Sequence, residues 1–210
     1  MKTRIFNLII IDESGSMISI KKQAIDNVNE TIQTIRSAQQ KYDNQEHYVS
    51  LVTFNSQVNT VFDCVNVDKV TELTEKSYLP DQCTALYDAL GKSLNALRPK
   101  VSGVDKVLVT VVTDGYENAS VEYKGKDIKA LIDELKGMGW VFVYVGANQD
   151  VEAVAATISI ENKMCFSCTP KGTVHMTQAV NSGRERWYQR IANACTSQSD
   201  NKNFFDNDDK

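Results

Sequence analysis

Strand-like and helix-like stretches alternate along the chain. Phe6 to Ile11 is apolar at every position but Asn7, the pattern of a central strand covered on both faces, and it runs into Asp12-Glu13-Ser14-Gly15-Ser16. From about Ser19 to Gln40, Ile25, Val28, Ile32 and Ile35 recur at steps of three and four and predict one apolar helix face. His47 to Phe54 and Val58 to Val65 are β-rich and separated only by Asn55-Ser56-Gln57, which predicts an antiparallel hairpin whose second strand lies at the sheet edge. Leu86, Leu90, Leu94 and Leu97 mark a helix with Pro99 as its stop. Lys106 to Thr113 reads as a second central strand ending in Asp114-Gly115. Ile128, Leu131, Ile132 and Leu135 restore helical period, with Gly137 or Gly139 as the left-handed cap, and Val141 to Val145 is the next strand. A short helix at about Val151 to Ala156, a weak strand at Met164 to Phe166 and a last helix using Met176, Val180, Trp187 and Ile191 follow. This alternation predicts an α/β fold: a doubly wound, mostly parallel, Rossmann-like sheet with one antiparallel edge strand and helices on both faces. One domain over residues 1–195 absorbs nearly the whole chain, and the polar, acidic stretch 196–210 reads as a disordered tail with Phe204-Phe205 as its anchor.

Composition narrows this picture modestly. With 210 residues, 42% hydrophobic and 24% charged, the chain is long enough for one sizeable core, and its 10 Gly and 3 Pro exclude a collagenous or wholly disordered chain. A net charge of −4 argues against general affinity for nucleic acid or anionic membrane. The apolar run after Met-Lys-Thr-Arg is too short for a signal peptide, and no stretch approaches the ~20 apolar residues of a membrane-spanning helix. Five cysteines (Cys64, Cys83, Cys165, Cys168, Cys195) without framework spacing suit free thiols, and hence a cytoplasmic location.

The chemistry concentrates where the two central strands end. In an open parallel sheet the carboxyl ends of neighbouring strands form the ligand crevice at the topological switch point, so Asp12 and Asp114 are expected to face each other. Either aspartate alone reads as a helix cap or turn former. Asp12-x-Ser14-x-Ser16, however, sets three oxygen-bearing side chains at alternate positions of one loop, and Asp81-Gln82-Cys83-Thr84 is placed to bring a further hydroxyl. Carboxylates and hydroxyls are hard ligands that suit Mg²⁺ or Mn²⁺.

Taken together, Asp12-Glu13-Ser14-Gly15-Ser16, Thr84 in Thr-Ala-Leu-Tyr-Asp-Ala-Leu, and Thr113-Asp114-Gly115 resemble the metal-ion-dependent adhesion site of von Willebrand factor A domains, over roughly residues 5 to 195. The resemblance, to the bacterial stand-alone type, implies that Ser14, Ser16 and Thr84 bind the metal through hydroxyls, while Asp12 and Asp114 act mainly through water or orient the hydroxyls. It implies a metal-dependent interaction module: the ion keeps an open position for an Asp or Glu of a protein partner, such as an ATPase-type or stress-system protein. Glu13, Tyr116 and Glu117 adjoin motif positions and are candidates for the rim. It also implies a C-terminal helix, from about Thr173 to Ala194, that shifts when ligand enters. The chain departs from the family pattern in carrying Gln82-Cys83 before Thr84, where members often have Gly.

Enzyme signatures are missing: there is no GxSxG elbow, GxxxxGK loop, HExxH or GxGxxG after a strand. The expectation is a binding module, not an enzyme. The alternative is a Mg²⁺-dependent hydrolase or phosphoryl-transfer enzyme using the same crevice, although Ser14 stands where the second Asp of a DxD pair would be. Cys165-Phe-Ser-Cys168 lacks the second ligand pair of a zinc site and reads as two thiols.

Overall fold

A computed structural model describes residues 2–147, 151–167, 169–194 and 203–205, with Pro170 by its backbone alone. In chain order the elements are β1 (Thr3–Asp12), α1 (Lys21–Lys41), β2 (Gln45–Phe54), β3 (Val58–Asn66), α2 (Leu86–Leu97), β4 (Lys106–Thr113), α3 (Gly125–Gly137), β5 (Val141–Ala147), α4 (Val151–Thr157), β6 (Asn162–Phe166) and α5 (Pro170–Ala192). A 3₁₀ turn, Gly15–Ile20, joins the end of β1 to α1. The six strands form one sheet in the order β3-β2-β1-β4-β5-β6, parallel throughout except for β3, which runs antiparallel to β2 at the edge.

The alternation of side chains along β1 explains its continuous apolar run. Ile5, Ile9 and Ile11 join the core shared with α1 and α5, whereas Phe6, Leu8 and Ile10 join the core beneath α2, α3 and α4. Both faces are covered, so a strand with one polar face would leave polar groups unmatched. Asn7 is the exception and is buried nonetheless. It lies under α5, where its Oδ1 accepts from Tyr188 Oη and from Arg184 Nη1 at 3.1 Å.

The predicted ends move outward where tertiary pairing continues past the local signal. β2 starts at Gln45 because Thr3 of β1 pairs there. α5 starts at Pro170, ahead of Thr173, because Thr169 caps it by accepting from Gly172 N at 3.1 Å and Pro170 fits the first turn. Of the two glycines predicted to cap α3, Gly139 takes the left-handed conformation (φ +88°), and Trp140 N donates back to Leu135 O at 3.1 Å. Phe204 and Phe205 are buried in the α1/α5 core. Apart from Asn203 to Phe205 the predicted tail, with Cys168 and Cys195, lies outside the described residues. Among the described residues no helix is long and apolar enough to cross a membrane.

Because β1 turns to β2 on one side and has β4 on the other, the chain reverses its winding direction between β1 and β4. The crevice opens at their carboxyl ends.

Candidate functional site

Asp12 is the last residue of β1 and is fully buried. Its two carboxylate oxygens are bound differently. Oδ1 accepts from Ser14 N at 2.7 Å, closing a tight turn, and Oδ2 accepts from Thr113 Oγ1 at the end of β4. Tyr78 Oη donates to the Asp12 main-chain oxygen. Ser14 Oγ lies 3.1 Å from Ser16 Oγ, and Ser16 Oγ donates to Asp114 Oδ1. A continuous polar path therefore runs from β1 to the loop after β4.

Thr84 completes the cluster from a third loop. A Cβ on Gly115 would stand 2.8 Å from Thr84 Oγ1 and 3.6 Å from Asp12 Oδ2, so the hydroxyl and the carboxylate crowd the same side of that glycine. Only a residue without a side chain leaves that space to them. Thr84 is held by a reciprocal pair, Thr84 N to Asn118 Oδ1 at 2.8 Å and Asn118 N to Thr84 O at 3.0 Å. Its approach depends on Gln82, which is left-handed at φ +67° and accepts from Gly15 N at 3.0 Å. Gln82 thus adopts the backbone that a glycine would take freely.

Of the three rim candidates, Tyr116 is the most exposed. The other two brace loops. Glu13 accepts from Leu79 N, and the Glu117 carboxylate accepts from Tyr87 N (2.9 Å), Ala119 N (2.9 Å), Ser120 N (2.7 Å) and Ser120 Oγ (2.7 Å). The bond from Tyr87 anchors the loop after β4 to the start of α2, and the other three close that loop on itself.

The electrostatics follow from burial. Burial pushes the Asp12 carboxyl up to about 6, against the pull of the bonds from Thr113 and Ser14, and the neighbouring Asp114 charge adds to the rise. Burial also raises Asp114, partly offset by the Ser16 hydrogen bond. Among the described residues no Lys, Arg or His forms an ion pair with either aspartate. Nor do those residues include a cluster of three or more His, Cys, Asp or Glu side chains placed to hold a metal. The donor set is instead two carboxylates and three hydroxyls, all oxygen, which fits a small hard cation.

The sequence motifs named all five residues of this cluster but missed what holds them. Thr113 was visible only as the first letter of Thr-Asp-Gly, and nothing near Tyr78 or Asn118 in sequence points to Asp12 or Thr84. Cys83, next to Thr84, is exposed; away from the site Cys165 is exposed and Cys64 half-buried, and all three are free thiols. His47 is buried on β2, and His175 is exposed on α5.

No curated protein sequence matches the chain. Among solved structures it is similar to the PilB minor pilin from Streptococcus sanguinis, with a TM-score of 0.64, 14% identity, and 91% of this chain and 63% of that one covered. It is also similar to the vWF domain of the type V pili tip protein Mfa5 from Porphyromonas gingivalis (TM-score 0.61, 9% identity, 94% and 98% covered). A third is the ArnB paralog VWA2 from Sulfolobus acidocaldarius (TM-score 0.58, 15% identity, 86% and 45% covered). The chain thus spans less than two thirds of the pilin and about the length of the isolated Mfa5 domain. At these identities the likeness speaks to the fold. The sequence profile of the von Willebrand factor type A domain, by contrast, matches residues 8–185, and with the doubly wound sheet in place the chain belongs to that family.

Proposed function

We propose that the crevice holds a divalent cation, Mg²⁺ or Mn²⁺, and that through it the chain binds a carboxylate on a protein partner. The supporting observation is the convergence of two buried carboxylates and three hydroxyls without a neutralising side chain among the described residues. An ion would neutralise the two carboxylates. Ser14, Ser16 and Thr84 would offer hydroxyl oxygens, and Asp12 and Asp114 would ligate through water or orient those hydroxyls. Neutral direct ligands leave the ion much of its charge, so it supplies an electrophilic centre for an Asp or Glu of the partner. A globally acidic chain can then take an acidic ligand.

Binding fits the site better than catalysis. No histidine stands beside the crevice to serve as general base, His47 lying beneath α5 and His175 on its exposed face, and the carboxylates there are the groups that would hold the ion. Two of the similar structures are pilus proteins by name, which accords with an interaction module.

Thermal melts with and without Mg²⁺ or Mn²⁺, with Mn²⁺ binding read by EPR, test the ion. Saturation at 100 times Kd stabilises by about 2.7 kcal/mol, and Asp114→Ala is expected to lose the response. An unchanged melt with no bound Mn²⁺ overturns the site. Partner capture repeated in chelator tests the bridge, and equal retention in both conditions overturns it. Turnover of any phosphoester in a panel would favour the hydrolase.

A further inference from the structure

Phe204 and Phe205 belong to no helix or strand, yet both are buried against α5 and β6. The fit is specific at three points. Gly183, in the middle of α5, has no side chain where the Phe204 ring lies: a Cβ there would stand 2.6 Å from Phe204 Cε1 and 2.7 Å from its main-chain oxygen. Asn162, the first residue of β6, accepts from Phe204 N at 3.1 Å through Oδ1, while its Nδ2 donates to Phe142 O at 3.0 Å. With both ends engaged, the amide presents its acceptor to the incoming N–H. Arg186 Nη2 donates to Phe204 O at 3.2 Å. The two rings pack edge to face, 5.2 Å between centroids.

Core packing alone needs only the rings. Here side chains of α5 and β6 also bind the main-chain N–H and C=O of an irregular segment, which is how grooves recognise extended peptides. β6 is the edge strand of the sheet, and beside Asn203 and Phe205 a cleft of about 310 Å³, lined by Glu152, Lys163, Met164 and Cys165, gives the segment a way in and out.

We propose that the groove between α5 and the β6 edge is a binding site for an extended segment carrying two adjacent phenylalanines, and that the chain's own Phe204-Phe205 is its resident, releasable occupant, a latch holding α5 on the sheet. The site is independent of the metal reading. In cis the latch acts at an effective concentration of millimolar order, so a free peptide of the same sequence competes poorly with it unless the resident is removed.

The test uses the full chain in the presence of chelator. In Phe204→Ala/Phe205→Ala, amide exchange in residues 183–192 is expected to speed at least ~10-fold while β1 and β4 stay protected. A fluorescent peptide of residues 201–210 is expected to bind this variant with a Kd on the order of 100 μM and the wild type at least ~10-fold more weakly, the tether accounting for the difference. Adding Gly183→Ala, which fills the cradle, is expected to abolish peptide binding. If the double variant does not fold, Phe205→Ala alone is read in the same way. Equal peptide binding to wild type and variant, no binding to either, binding that survives Gly183→Ala, or unchanged exchange in α5 overturns the proposal.

Discussion

Two buried polar clusters sit on the same two strands and carry opposite charge. At the carboxyl end of β1 and just past β4, Asp12 and Asp114 bring two carboxylates with no ion-paired cationic side chain among the described residues. In mid-sheet, Asn7 of β1 and Thr110 of β4 meet Arg184 of α5, a fully buried guanidinium whose hydrogen bonds go to neutral acceptors: Asn7 Oδ1, Thr110 Oγ1 at 2.8 Å and Tyr188 Oη at 3.3 Å. Neither cluster neutralises the other. Five residues of strand at ~3.3 Å each put Asn7 about 16 Å from Asp12, where two unit charges at an effective dielectric of 20 interact by about 1 kcal/mol. The mid-sheet cluster is sealed by α5 and gives both terminal nitrogens of Arg184 neutral acceptors, leaving its buried Nε without a partner, so it serves the fold. The strand-end cluster gathers two carboxylates whose donors are neutral, and it reaches solvent through the exposed Ser16. Negative charge gathered at an opening is what the proposed cation would neutralise.

This contrast can be broken most severely at Arg184. Arg184→Ala takes one of two donors from Asn7 Oδ1 and the guanidinium donor from Thr110, and opens a cavity beneath α5, and about 3–5 kcal/mol of stability should be lost in denaturant unfolding. Asp114→Ala should leave that unfolding curve far less changed, since Asp114 borders solvent.

Acid separates the clusters next. His47 is buried beside Tyr188, and burial, with Arg184 nearby, lowers its pKa to about 3. Below its unfolded value of 6.5 the unfolded chain takes up the proton while the native chain does not. The contribution of His47 is thus present above pH 6.5 and is lost as pH falls toward 3, about 3 kcal/mol of it by pH 4. His47→Gln should flatten that limb of a stability–pH curve.

Asp12 has the opposite sign. With a folded pKa of about 6 against 3.8, its contribution is complete below pH 3.8 and is lost as pH rises through 6. Ion-free Asp12→Asn is therefore expected to exceed the wild type by about 1–3 kcal/mol at pH 8. Saturating Mg²⁺ should reverse the order, because only the ionised wild type gains from it. Melts of both proteins in chelator and in Mg²⁺ check this.

The smallest effect concerns the loop carrying Thr84. Gln82→Gly removes a left-handed non-glycine residue and should raise the ion-free stability by no more than about 1 kcal/mol, the relief being partly offset by chain entropy. A calorimetric scan resolves it.

Much of the fold could be read from the chain, because β1's apolar run and the Ile25-Val28-Ile32-Ile35 spacing are imposed by which faces must be covered. The hairpin edge strand followed from a three-residue connection, too short for a parallel crossover. The five candidate ligands were equally legible, since each sits in a short motif, four of them at or just past a strand end and Thr84 just ahead of α2. The braces were not. Tyr78 on Asp12, Asn118 on Thr84 and Tyr87 on Glu117 join segments far apart in sequence, and such pairs leave no local periodicity.

Asn7 shows where the division falls. By itself the sequence determined that a strand passes through position 7 and that an asparagine interrupts it, because steric and hydrophobic preferences of neighbours set local conformation. Only the tertiary structure decided that this asparagine accepts from an arginine 177 positions away, and that Gly183 leaves room for Phe204. A buried hydrogen bond or a packed ring is chosen by what the closed chain brings within reach, and that is a property of the whole sheet and its helices.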